Sequence, residues 1–64
     1  MTLLTLEHKY KFSPGDLVRH RMTDSVGVIV QTPKQTGNGD YQTLFHGRTY
    51  FARESFLELI QKKS

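Results

Sequence analysis

From residue 4 to residue 12 the chain alternates. Leu4, Leu6, His8, Tyr10 and Phe12 fall on one side of an extended backbone, Thr5, Glu7, Lys9 and Lys11 on the other, with Leu3 outside the pattern. A period of two predicts a half-buried strand or an extended arm, because a helix would scatter these apolar residues around its circumference. Ser13-Pro14-Gly15-Asp16 then reads as a turn: proline presets φ, and glycine supplies the positive φ that a type II turn requires. Leu17 to Arg21 follows as a first strand with Val18 inward, and Thr23-Asp24-Ser25 as a polar loop. Gly27 opens a second strand, where a side chain would clash or the strand bends sharply. Val28 and Val30 share one of its faces, and Pro33 ends it by removing a ladder donor.

Lys34 to Asp40 reads as a flexible loop, since Gly37-Asn38-Gly39-Asp40 tolerates left-handed backbone at nearly every position. Tyr41 to Phe45 and Arg48 to Arg53 form a hairpin about His46-Gly47. Glu54-Ser55-Phe56 fits one turn of 3-10 helix. Leu57 to Ile60 is a short closing strand, and Gln61 to Ser64 a frayed polar tail. The hairpin has two faces. One carries Tyr41, Thr43, Phe45, Arg48, Tyr50 and Ala52; the other carries Gln42, Leu44, Thr49, Phe51 and Arg53. With the first face inside, Phe45, Tyr50 and Ala52 join Val18, Val28, Val30 and Leu59 in the core. Leu44 and Phe51 are then left outside as an apolar patch, and this arrangement is preferred. With the second face inside, Tyr41, Phe45 and Tyr50 would form a stacking platform beside Arg48.

The chain has 64 residues, enough for one domain, with segments 1–12 (arm or extra strand), 13–60 (barrel) and 61–64 (tail). So short a chain buries only about 60 % of the surface that its unfolded form exposes. Small domains therefore need a disulfide, a metal or a partner. There is no cysteine. His8, His20 and His46 lack a ligand-like spacing, so no metal or cofactor is expected and self-association or a protein partner is. No apolar run approaches the ~20 residues that span a bilayer, and nothing resembles a signal peptide. A cytoplasmic protein without membrane contact is the expectation.

Five short strands with one helical turn before the last resemble the SH3-like small β-barrels, nearest to the branch of KOW and Tudor-like domains. The residues that carry the resemblance are Pro14-Gly15-Asp16-Leu17-Val18, Gly27-Val28-Ile29-Val30, Leu44-Phe45-His46-Gly47 and Leu57-Glu58-Leu59-Ile60. It covers residues 12–60 and is similar in pattern to small uncharacterised proteins of bacteria and their phages. It implies an all-β fold, a five-stranded barrel with the N-terminal arm added. Such barrels host RNA binding, methyl-ligand recognition, peptide binding and assembly roles. The chain has no Trp and no acidic loop, as an SH3 groove for proline-rich peptides would offer. Its aromatics are too few for both a core and a cage around a methylated cation.

Chemistry is not indicated. His20 lies between Arg19 and Arg21, whose charge opposes its protonated form. Asp16 and His20 share a strand face but stand about 13 Å apart by strand rise. Ser13, Ser25 and Ser55 have no histidine at a suggestive spacing. Gly37-Asn38-Gly39-Asp40 lacks the Gly-Lys-Ser/Thr ending of a phosphate loop. No enzyme and no small-molecule substrate are expected. The first expectation is a noncatalytic interaction module acting through Leu4, Leu6, Tyr10, Leu44 and Phe51. The alternative is a nucleic-acid-binding barrel using Arg19, Arg21, Arg48, Tyr50 and Arg53, motivated by a net charge of +3 and a pI near 9.5.

Overall fold

Ser13 to Asp16 turns the chain as the local sequence requires. Asp16 N–H donates to the Ser13 carbonyl at 3.0 Å, and Gly15 takes φ +96°. The computed structural model describes residues 10–63. Beyond the turn it shows β1 (Leu17–His20), β2 (Val26–Gln31), α1 (Pro33–Thr36), β3 (Tyr41–Phe45), β4 (Arg48–Ala52), a 3-10 turn (Glu54–Phe56) and β5 (Leu57–Gln61). The protein is all-β. Among the described residues five strands form one antiparallel sheet in the order β4-β3-β2-β1-β5. The expected closed barrel is corrected in this respect: among the described residues β4 and β5 are the two edges, and the sheet is not closed into a barrel.

One face of the sheet holds the core: Phe12, Val18, Ile29, Tyr41, Phe45, Ala52 and Leu57 are buried, with Tyr10 packed against them. The hairpin presents its first face inward, as preferred from the sequence, with Tyr41, Thr43, Phe45 and Ala52 buried. Four expected core residues are not there. Gly27 and Ile29, not Val28 and Val30, take the inward phase of β2, because Gly27 pairs with the inward Val18. A register shift between Ile29 and Gln31 leaves Val30 exposed. Leu59 lies opposite Val18 and Tyr50 opposite Thr43, yet both are exposed. They sit on β5 and β4, which among the described residues have a neighbouring strand on one side only.

Gly27 is where a side chain cannot fit. A Cβ there would overlap the Leu44 carbonyl oxygen and lie 2.5 Å from Cδ1 of Phe45. His46 (φ +51°) and Gly47 (φ +79°) give the hairpin two successive left-handed residues, the geometry that matches the strand twist.

The segment after β2 departs from the expected loop. Pro33 stops the strand and opens α1. Gln35 Oε1 accepts the Thr32 N–H at 2.8 Å, and Gly37 closes the turn at φ +77°. The frayed tail is also corrected. Gln61 belongs to β5, and Asp16 holds both Lys62 and Lys63. The Asp16 carboxylate, 1 % exposed, accepts the Lys63 N–H at 2.9 Å, the Ser13 N–H at 3.0 Å and the Lys62 ammonium at 3.2 Å. Burial pushes this carboxyl up, but the three donors outweigh it and hold it below the usual carboxylate range.

The approach to the turn is part of the core. The Phe12 ring meets Tyr41 edge-on at 5.3 Å and Tyr10 meets it at 6.3 Å. Tyr41 donates its hydroxyl hydrogen to Glu54 Oε2 at 2.6 Å, and Lys11 N–H donates to the same oxygen at 3.1 Å. Burial first, and the Glu54 hydrogen bond second, push the Tyr41 phenol up to about 12.

Candidate functional site

A cleft lies where β4 and the β3–β4 turn face the β1–β2 connection. Its volume is about 320 Å³, and it is lined by His20, Thr23, Ser25, Phe45, His46, Tyr50, Phe51 and Ala52. Local structure places each wall. Val18 points inward on β1, so His20 does too. There its ring stacks on Phe56 (5.9 Å between centroids, 11° between planes) and meets Phe45 edge-on at 6.1 Å. His20 Nδ1 accepts the Met22 N–H at 3.2 Å, which leaves the neutral ring's proton on Nε2. The opposite wall is the hairpin. Phe45 forms the buried base, His46 comes from the left-handed turn, and Tyr50 tilts against Phe45 with centroids 6.2 Å apart. Tyr50 and Phe51 are 48 % and 57 % exposed.

The lining carries aromatic rings and hydroxyls but no carboxylate. Arginines flank it: Arg48 pairs across the hairpin with Phe45, Arg53 follows Ala52, and Arg21 follows His20. Among the described residues, Arg48 and Arg53 have no acidic side chain within ion-pairing distance. Arg21 stands close enough to Glu58 to lower its pKa, behind the larger effect of the Arg19 hydrogen bond. Arg19 itself is committed. It pairs with Asp24 and Glu58, donating from Nε to Glu58 Oε1 at 3.1 Å. Among the described residues no three histidine or acidic side chains gather as metal ligands.

The residues singled out from sequence therefore fall into separate places. Leu4 and Leu6 lie outside the described residues. Tyr10 is half-buried against Tyr41. Leu44 is 40 % exposed on the sheet face opposite the core, and Phe51 lies at the rim between that face and the cleft. Of the five residues named for nucleic acid, Tyr50 enters the cleft, Arg48, Arg53 and Arg21 flank it, and Arg19 turns to the opposite face, opposite Glu58.

That opposite face carries a second arrangement. The lateral pairs align one row across all five strands: Gln61, Leu17, Val28, Leu44 and Thr49. Its three central members are apolar and its two ends polar. Phe51 lies diagonal to Leu44, two residues from Thr49 on β4. Sequence reasoning found Leu44 and Phe51 but missed Leu17 and Val28, because assigning Val28 to the core hid the row. His20 and His46 are the residues a catalytic pocket would have needed beside a carboxylate; the cleft holds both without one, and Phe45 as its base was missed. The inward phase of Val18 two residues earlier was the available signal for His20. No protein-family model matches the chain, and no curated protein matches it in sequence.

Proposed function

We propose that this chain is a noncatalytic assembly module of SH3-like type, with its sheet left open, that self-associates through the outer face of that sheet. The observation that carries the reading is the row Gln61–Leu17–Val28–Leu44–Thr49. An apolar centre with polar ends is the composition of an interface core inside its rim. The thin core supports the same reading: among the described residues seven apolar side chains are buried, and small domains gain stability by burying more surface against a partner. The five antiparallel strands and the 3-10 turn directly before β5 support the SH3-like type. Leu4 and Leu6, outside the described residues, are the candidates for covering the row from a neighbouring copy, beside Phe51.

Sedimentation velocity of the full chain over a range of concentrations tests this. Self-association is expected. Leu44→Gln removes one apolar centre and should weaken association about tenfold with an unchanged circular dichroism spectrum, and a Leu4→Gln/Leu6→Gln double variant should weaken it as well. A full chain that stays monomeric at every concentration, or a Leu44→Gln variant that associates as tightly as the parent, overturns the reading.

A further inference from the structure

We propose that the cleft between β4 and the β1–β2 connection receives a base of a single-stranded nucleic acid, with Tyr50 as the stacking surface and Arg48 and Arg53 on the flanking phosphates. Shape, lining and charge converge on this ligand. At about 320 Å³ the cleft is near the floor of the ~300–1,000 Å³ range of small-molecule sites, which suits one planar ring better than a cofactor. Tyr50 offers a ring face, His46 and the rim residue Phe51 add aromatic edges to the lining, and Thr23 and Ser25 add hydroxyls that can meet a base edge. Tyr50 is half exposed and is held against Phe45, so little side-chain freedom is lost when a base stacks on it. Aromatic faces with adjacent cations are the elements that single-strand binders combine.

Charge selects an anion over the other occupants. The lining has no carboxylate, so a cationic ligand finds no countercharge there and meets the uncompensated Arg48 and Arg53 beside it. Arg48 and Arg53 carry uncompensated charge among the described residues, and the whole chain is at +3. Arg19 is excluded because Asp24 and Glu58 neutralise it. A duplex fits poorly: the cleft accepts a ring from the side, and a paired base keeps both of its faces inside the stack.

Fluorescence anisotropy with labelled single-stranded oligothymidylate and oligouridylate, against a duplex of equal length, tests the proposal on the full chain. The single strands should bind more tightly than the duplex and weaken as salt rises. Tyr50→Ala should lose about 5- to 150-fold in affinity, while Tyr50→Phe, which keeps the ring, should stay within a few-fold of the parent. The Arg48→Gln/Arg53→Gln variant should reduce the salt slope by about 1–2. Leu44→Gln, which alters the opposite face, should leave this binding unchanged, so failure here and failure of the assembly reading are separable. No binding of either single strand at low salt, a duplex bound as tightly as the single strands, Tyr50→Ala binding as the parent does, or binding of a proline-rich peptide in place of the oligonucleotides would each overturn it.

Discussion

Asp16 and Lys63, 47 positions apart in sequence, are joined by a 2.9 Å hydrogen bond from the Lys63 backbone N–H to the Asp16 carboxylate. The bond ties the turn that opens the sheet to the end of the strand that closes its sequence. Because Asp16 is fully buried and also accepts from Ser13 and Lys62, it acts as a clasp between β1 and β5.

Asp16→Asn is expected to cost about 1.5–3 kcal/mol, the range for hydrogen bonds to a charged group. The amide keeps the shape but brings its own N–H groups to a site already filled with donors. The native carboxyl titrates below its unfolded value. Its contribution is therefore fully present above the unfolded pKa of about 3.9 and is lost as pH falls through the lowered folded value. Urea unfolding across the acid range should show a shallower pH dependence in the variant than in the parent.

Tyr41→Phe should destabilise the protein by about 1–2 kcal/mol, since it removes a donor to the Glu54 carboxylate and the acceptor of the Phe12 N–H. The raised phenol pKa predicts an alkaline effect of the opposite kind. The neutral form is favoured in the folded state, so its contribution is complete below the unfolded value of about 10 and is lost as pH rises towards about 12. A tyrosinate absorbance titration should contain one late transition that is missing in Tyr41→Phe.

Gly27→Ala and Gly47→Ala separate two reasons for glycine. At Gly27 a Cβ meets the Leu44 carbonyl and the Phe45 ring on the adjacent strand, and strand backbone cannot yield cheaply. A loss of at least about 1–3 kcal/mol is expected in chemical denaturation.

At Gly47 a methyl group would have no atom within 4 Å, but φ is +79°. There the cost is conformational, about 1 kcal/mol. Gly47→Asn should recover part of it, because asparagine tolerates left-handed backbone. Equal losses for Ala and Asn would contradict that account.

The turns and strand limits were legible in the sequence because each depends on a few neighbouring residues. Pro14-Gly15, Pro33 and His46-Gly47 restrict φ locally, and the 3-10 turn and Tyr41–Phe45 appear where the pattern placed them. The run Val26-Gly27-Val28-Ile29-Val30 was not legible in the same way. It is apolar in both phases, so a period of two cannot say which side faces inward. Pairing of Gly27 with Val18, beneath the Phe45 ring, decided it.

The order of polar and apolar residues, with its prolines and glycines, determined by itself that the chain makes five short strands, where it turns, and which hairpin face is the better core. Tertiary structure alone decided that the sheet stays open, that Asp16 holds the far end of the chain, and that residues 20–25 and 45–52 share one cleft. The division has a physical cause. Backbone preference acts over a few bonds, whereas a buried hydrogen bond, an edge strand's missing neighbour and the wall of a cleft depend on residues brought together only when the sheet forms.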